Sequence, residues 1–338
     1  MKRFLKWFGI TVLTTGGMYL LYSTLARQDF AHLSQELKTF GIWAFCGYVL
    51  ISLVNFSFYV LRWQLITHHM QSDVKIPFWR LYMHRMAGFC FSYITPSAQA
   101  GGEPVRMALL AGDGVKPARA VAAVTLDIAF ELTFFAGFIF FGFVISLLQN
   151  VTQFSSSYVS FIFLILFFGF FLAMWFFMWR GYRPFQAMEA KQKKRHSWSG
   201  VLRFLAESEK SIIEFFQHQR RVTLWIMALS VLTMLFRIAE VYFIAWGFGA
   251  LALRFSQAFL AATLPGFALL VPIPAGLGVF EGGLDLIFST LAIPINPIAF
   301  VAIIRARDLI FILLGFVHTI FVTRGGLHSF LKLRYDRM

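Results

Sequence analysis

Charge is scarce in this chain. Asp, Glu, Lys and Arg make up 14% of its 338 residues, where a soluble domain carries about 25%. So few charges cannot cover a water-facing surface around so many apolar residues, which excludes a soluble globular domain. They exclude disorder as well, because a disordered chain is rich in charge and poor in apolar groups. Acidic residues are scarcer still, 16 against 30 basic ones. Cysteine is nearly absent. Cys46 and Cys90 both lie in apolar stretches, so there is no disulfide framework and no CxxC metal or redox motif. The chain has no P-loop, no HExxH and no Ser-His-Asp arrangement at a recognisable spacing. Gly276-x-Gly278 follows no strand and so is no dinucleotide motif. His68-His69 has no further ligands around it. No metal, cofactor or catalytic site is expected, and the chain is not expected to be an enzyme.

Apolar residues fill the gap, at 59% of the chain, 43 of them Phe. The mean hydropathy is +0.70. The solvent for much of the chain must be lipid. A net charge of +14 would suggest nucleic acid in a soluble protein. Here it is the Lys and Arg excess that holds loops on the cytoplasmic face, and no nucleic-acid partner is expected.

About 20 apolar residues cross a hydrocarbon core of about 30 Å. Six stretches are long enough: 4–25, 41–61, 118–148, 158–179, 222–248 and 298–322. The first follows Lys2, Arg3 and Lys6. It is broken by Gly16 and Gly17 and has only a weak cleavage candidate at Ser23 to Ala26, so it reads as a retained span rather than a signal peptide. The segment 180–221 carries ten Lys or Arg and four Glu, whereas 149–157 carries no charge. The positive-inside rule puts 180–221, both termini and Arg62, at the end of span 41–61, in the cytoplasm. Within 180–221, Leu202, Leu205, Ile212, Ile213 and Phe216 recur at helical spacing. That spacing suits either a surface amphipathic helix or a solvated basic linker.

Two stretches do not read as ordinary spans. Residues 82–117 centre on Thr95-Pro-Ser-Ala-Gln-Ala-Gly-Gly-Glu-Pro-Val-Arg106, and 256–293 on Val271-Pro-Ile-Pro-Ala-Gly-Leu-Gly-Val-Phe-Glu281-Gly-Gly283. Each has two short apolar arms around a break rich in Pro and Gly. A broken backbone at membrane depth must be buried in protein or face a water-filled cavity. Span 41–61 runs inward and 118–148 outward, so the first stretch enters and leaves from the cytoplasm. The same reasoning sends the second in and out from the opposite side. The expected architecture is all-α and polytopic: six full spans and two opposed re-entrant helical hairpins. It forms one membrane domain over 1–338, with repeat 1 at 41–148 and an inverted repeat 2 at 222–323. The alternative, eight intact spans with proline kinks, would place Glu103 and Arg106 in lipid at about 2.5–3.5 kcal/mol each.

Charged residues inside apolar stretches are the functional candidates. In the first hairpin these are Glu103 and Arg106. Pro104 suits a helix start there, and Arg106 in the first turn could grip a phosphate in two places. In the second hairpin they are Glu281 and Asp285. The spans add Asp127 and Glu131, four apart and so on one face, then Arg237 and Glu240, and finally Arg305, Arg307 and Asp308. The span charges are equally open to coupling and structural roles. Arg237, for one, could simply neutralise Glu240 or Asp127.

Three runs carry a family resemblance: Tyr93-Ile-Thr-Pro-Ser97, Gly101-Gly-Glu-Pro-Val-Arg106 and Pro272-Ile-Pro-Ala-Gly-Leu-Gly-Val-Phe-Glu281, with Arg305 in the last span. On these the chain resembles the lysylphosphatidylglycerol synthetase transmembrane-region family, also called flippase-like membrane proteins, from about residue 5 to 325. The resemblance implies translocation of an anionic or polyprenyl-linked lipid in a bacterial inner membrane, or association with lipid-linked envelope synthesis. It implies a substrate site at Glu103, Arg106, Glu281, Arg305 and Ser97. Asp127, Glu131, Arg237, Glu240, Asp285 and Asp308 would be coupling or structural charges. Members that make aminoacylated lipid carry a large soluble transferase domain after the membrane part. With Met338 as the last residue here, synthase activity is not expected. Many members have an Asp-Arg pair where this chain has Asp127-Ile128. The expected partners are a membrane lipid, and a second copy or an envelope-synthesis enzyme. Rival readings are an ion- or proton-coupled transporter of a small anion and a non-transporting partner of a membrane enzyme. Proton uptake by Glu281 or Glu103 is expected to drive transport.

Opposed hairpins make a topological prediction. In a background without Cys46 and Cys90, single cysteines at 113–116 should label from the cytoplasm and those at 250–255 from outside. Labelling of both segments from one side would remove the inverted repeat.

Overall fold

The computed structural model describes residues 19, 22, 30–95, 100–148, 158–191, 199–266 and 273–335. Among them every long element is a helix, and there is no strand. The expected first span, 4–25, lies outside the described residues except at Tyr19 and Tyr22. Helix α1 runs Phe30–Met70, with a kink at Gly41. Helix α2 (Phe78–Ile94) and helix α3 (Glu103–Gly112) flank the first break, and a 3-10 turn at Ala100–Gly102 leads into α3. Helix α4 is Pro117–Leu148 and α5 is Tyr158–Trp179. Helices α6 (Pro184–Lys191) and α7 (Ser199–His218) fill the basic segment. Helix α8 is Arg220–Gly247. Helix α9 (Phe255–Thr263) and α10 (Val279–Thr290) flank the second break, and α11 runs Pro297–Tyr335.

Among the described residues, three helices are long and apolar enough to cross a membrane: Leu33–Met70, Pro117–Ile145 and Arg220–Gly247. The pair Ile165–Trp179 and Pro184–Ala190, bent by 58°, would be a fourth. Helix α11 has the length but carries Arg305, Arg307 and Asp308. At about 1.5 Å per residue, α3, α9 and α10 are each too short to span.

The arms of both broken stretches fold back on each other. In the first, the α2–α3 contacts run in reverse order. Ser92 Oγ accepts from the Gly102 N–H at 3.0 Å, and Gly88 lies against Arg106. At the foot, His84 Nε2 is 2.9 Å from Asp113 Oδ2, and Arg80 meets the other Asp113 oxygen at 2.6 Å. His84 Nδ1 also meets His318 Nε2 of α11 at 2.9 Å. In the second, Gln257 Nε2 of α9 donates to the Leu291 carbonyl beyond α10 at 2.8 Å.

The two halves use the same packing partners in exchanged form. Helices α1 and α8 lie against each other. Helix α11 packs on α2, and its counterpart α4 packs on α9. Helix α1 touches α2 as α8 touches α9, and α3 touches α4 as α10 touches α11. The α1–α8 contact is antiparallel: Phe40 meets Phe248, Asn55 meets Glu240, Phe58 meets Phe236 and Arg62 meets Ser230.

Among its described residues, the segment 180–221 is mostly helical. The apolar face of α7 is buried in protein rather than in lipid: Ile213 and Phe215 are covered, and Phe216 packs on Trp175 of α5 at 5.0 Å. Glu209 of α7 accepts from the N–H groups of Phe185 and Gln186 at 3.2 and 3.0 Å. It thereby serves the free donors at the start of α6.

Glycine sets the closest approaches. A Cβ on Gly102 would stand 1.9 Å from the Gly88 carbonyl oxygen, and one on Gly315 would stand 2.2 Å from that of Met86. Both obstacles are backbone and cannot rotate away. Gly102→Ala should therefore cost about 1–3 kcal/mol and lower the melting temperature of detergent-purified protein. Gly112→Ala, where a Cβ meets nothing within 4 Å, should not. Equal melting of the two variants would show that the α2–α3 approach is looser than drawn.

Candidate functional site

Two ionic groups occupy the interior. The first surrounds Asp127 of α4, which has no exposed surface. Three guanidinium groups reach it. Arg62 Nε of α1 lies at 2.7 Å, Arg85 Nη1 of α2 at 2.5 Å and Arg106 Nη2 of α3 at 2.5 Å. Glu131, one turn on, accepts from Arg62 at 2.9 Å and Arg85 at 2.7 Å. Glu103 meets Arg106 at 3.5 Å. Three arginines thus face three carboxylates, and four helices are tied at one point. Aromatic faces complete the cage. Arg62 and Arg85 lie over the Tyr59 ring at 5.2 and 5.0 Å, and Arg106 lies over Trp63 at 4.3 Å. Its most exposed members are Glu131 and Glu103, whose side chains are 35% and 22% exposed.

The second group is built on Arg305 of α11. Its Nε and Nη2 donate to Glu281 Oε1 of α10 at 3.0 and 2.7 Å. Its Nη1 donates to the Ala275 carbonyl at 3.0 Å and also to the Tyr93 hydroxyl. Tyr93 in turn donates to Asp308 at 3.1 Å. Tyr93 closes the first arm of the first broken stretch, and Ala275 lies in the break of the second. Arg305 therefore holds the two breaks together. Ala275 and Gly278 have positive φ, 55° and 81°. At Ala275 the β-carbon makes that conformation costly, and it turns the carbonyl toward Arg305. Glu281 also caps its own helix, its Oε2 accepting from the Gly278 N–H at 2.7 Å. Further along α11, Arg307 meets Asp308 at 2.9 Å and Glu240 at 3.7 Å, and Asn55 donates to Glu240 at 3.1 Å.

Asp127 and Glu131 share a face and the same arginines, as their spacing implies. Glu103 and Arg106 meet, and Glu281 meets Arg305. Three expectations are corrected. Arg62 is no cytoplasmic end of a span. Helix α1 continues to Met70, and Arg62 is fully buried because Asp127 and Glu131 compensate its charge. Arg237 forms no ion pair with Glu240 or Asp127, because Arg307 and Asn55 occupy Glu240 and three other arginines occupy Asp127. Arg106 is buried and holds Asp127 and Glu103 through its two terminal nitrogens, so it is not an open phosphate clamp in this conformation. Asp285 is half-buried with no partner among the described residues, and Ser97 lies outside them. Arg85, Tyr93, Asn55 and Tyr59 were not singled out from their place in the sequence. Arg85 sits one residue after a histidine and reads as an interfacial charge. Tyr93 lay within a quoted motif without a role.

These features define a multi-pass helical membrane protein with a neutralised ionic core between two broken helical stretches. Comparison with known families agrees. The family model for the lysylphosphatidylglycerol synthase TM region matches residues 7–315, and the chain belongs to that family. No curated protein matches the chain at a significant level.

Removing one partner of a buried ion group leaves a bare charge, at a cost of about 3–5 kcal/mol. Asp127→Asn strands three arginines and should sharply lower the yield of monodisperse, detergent-extracted protein. Lys210→Ala, which breaks only the exposed Lys210–Glu214 contact of 3.8 Å, should change stability by under about 0.5 kcal/mol. Wild-type yield and melting in Asp127→Asn would deny the first group its structural role.

Proposed function

We propose that this protein moves an anionic or polyprenyl-linked envelope lipid between the leaflets of a bacterial inner membrane, without catalysing a chemical reaction. The observation that carries this reading is Arg305, which ties the breaks of both broken stretches at one point. Transporters whose discontinuous helices meet at the midplane place the substrate there and alternate access by moving one half against the other. Family membership supports a role with lipid. The exchanged packing partners support two opposed re-entrant hairpins arranged as inverted repeats 41–148 and 222–323, and the proposed architecture has six full spans. The basic segment 180–221 supports cytoplasmic termini.

The head group would enter beside the exposed edge of the first ionic group while the tails stay in lipid. Movement of either broken stretch must release Arg305 from Glu281 or from Tyr93. Glu103 is better placed than Glu281 to take up a proton. It is part-exposed with one ionic contact at 3.5 Å, whereas both oxygens of Glu281 accept strong hydrogen bonds.

Leaflet transfer of fluorescent phosphatidylglycerol and of a polyprenyl phosphate in proteoliposomes tests the reading. Wild-type protein should speed transfer well above protein-free vesicles, and an imposed pH gradient should change the rate through Glu103, so that Glu103→Gln loses the response. Arg305→Gln should reduce transfer at least about tenfold. Should that variant not fold, Tyr93→Phe, which removes one tie and keeps the ring, should still alter the rate. Folded wild-type protein that moves neither lipid would sink lipid transport and leave the role of a non-transporting partner. Uptake of a soluble anion instead would favour the small-anion transporter.

A further inference from the structure

Of the arginines at membrane depth, Arg237 is the one without an ion partner. Arg62, Arg85, Arg106, Arg305 and Arg307 each reach a carboxylate. Arg237 has no carboxylate within 4.0 Å among the described residues. It is half-buried, and its guanidinium lies over the Phe135 ring at 5.7 Å. It belongs to the inward face of α8, in step with Ser230, Met234, Val241 and Ile244, all buried. An unpaired cation on an inward helix face in a membrane protein is costly and marks a ligand path.

The antiparallel ladder of α1 and α8 shows what stands beside it. The Asn55–Glu240 rung closes at 3.1 Å and the Arg62–Ser230 rung at 3.3 Å. Between them the helices meet at Phe58 and Phe236, 4.9 Å apart, and the next residue on each helix is Tyr59 of α1 and Arg237 of α8. The Tyr59 residue is only 8% exposed, and its hydroxyl has no hydrogen-bond partner. A buried donor without an acceptor costs about 1–3 kcal/mol, and here it neighbours a cation without an anion. Both lacks are met by one kind of ligand.

We infer that Arg237 and Tyr59 form an oxyanion site between α1 and α8, built for the phosphate of a lipid head group. The guanidinium offers paired N–H donors to two phosphate oxygens, and the Tyr59 hydroxyl donates to a third. The inference deepens the lipid-transport reading and rests on it for the choice of lipid. It also moves the phosphate contact away from Arg106, which is buried on Asp127, and from Arg305, whose three nitrogens are already engaged.

The test is thermal stabilisation of the full chain in detergent by phosphatidylglycerol, by phosphatidylcholine and by inorganic phosphate. Phosphatidylglycerol should raise the melting temperature in a saturable way. Tyr59→Phe keeps the ring under Arg62 and Arg85 and removes only the unpartnered hydroxyl. Its melting without lipid should match or exceed wild type, while its apparent affinity for phosphatidylglycerol should fall about tenfold, the worth of one hydrogen bond to a charged group. Arg237→Gln should abolish the stabilisation. Stabilisation by both phospholipids and by inorganic phosphate, lost in both variants, supports an oxyanion site indifferent to its source. Stabilisation by lipid alone, lost in both, supports a head-group site. Unchanged affinity in Tyr59→Phe overturns the inference, even where Arg237→Gln does not fold, and so does a wild type that no probe stabilises. Binding through these residues without leaflet transfer would keep the site and sink the transport reading.

Discussion

A carboxylate with no exposed surface cannot stay charged in an apolar surrounding unless its charge is compensated at contact distance. Asp127 is that carboxylate, and α1, α2 and α3 are each held to α4 through an arginine that reaches it. The surrounding packing follows from this requirement. Gly88 has no side chain because the Arg106 stem passes over it. Gly102 has none because its backbone must touch that of Gly88 for Arg106 to arrive from the right side. Trp63 and Tyr59 supply faces to the guanidinium groups where water would otherwise be needed. Hydrophobic packing positions the helices, but the ionic contact decides how far each may turn about its axis.

The second group answers a different constraint. Broken helices leave carbonyls and N–H groups without intrahelical partners, and lipid supplies none. Arg305 and Glu281 meet that need at the end of the second break that leads into α10. One donates to the Ala275 carbonyl, and the other accepts from the Gly278 N–H. Because Arg305 also holds Tyr93, satisfying one break fixes its distance from the other.

Much of this was legible in the chain. Apolar runs of span length and clusters of Pro and Gly located the breaks to within a few residues. The four-residue spacing of Asp127 and Glu131 announced a shared face. Other features were not legible, for identifiable reasons. Arg62 and Arg85 sit near the ends of apolar runs beside Gln64 and His84, where a positive charge reads as a topological marker. Only tertiary packing shows that a carboxylate on another helix draws them inward. Arg237 and Glu240, three apart, read as a local pair. Long-range partners took Glu240, and no sequence rule ranks a distant arginine above a near one. The apolar stripe of α7 reads the same whether lipid or protein covers it, so its burial on α5 had no sequence signal of its own.

Neutrality has a consequence for movement. Paired buried charges separate only if each finds a new partner within the same step, so such a core has discrete arrangements rather than a soft range of them. The Asp127 group is closed in this sense. Its three arginines and three carboxylates balance in charge and have much to lose from being parted. Arg305 is closed as well, yet it joins the two broken stretches, which the proposed transport must move. Among the described residues Arg237 is the arginine of this interior with no carboxylate at contact distance, on a helix that touches both groups through Ser230 and Glu240. On the proposed reading, an anion arriving there would supply the missing charge at a point from which both ionic groups are reached, and ligand arrival and rearrangement would be coupled by electrostatics rather than by shape.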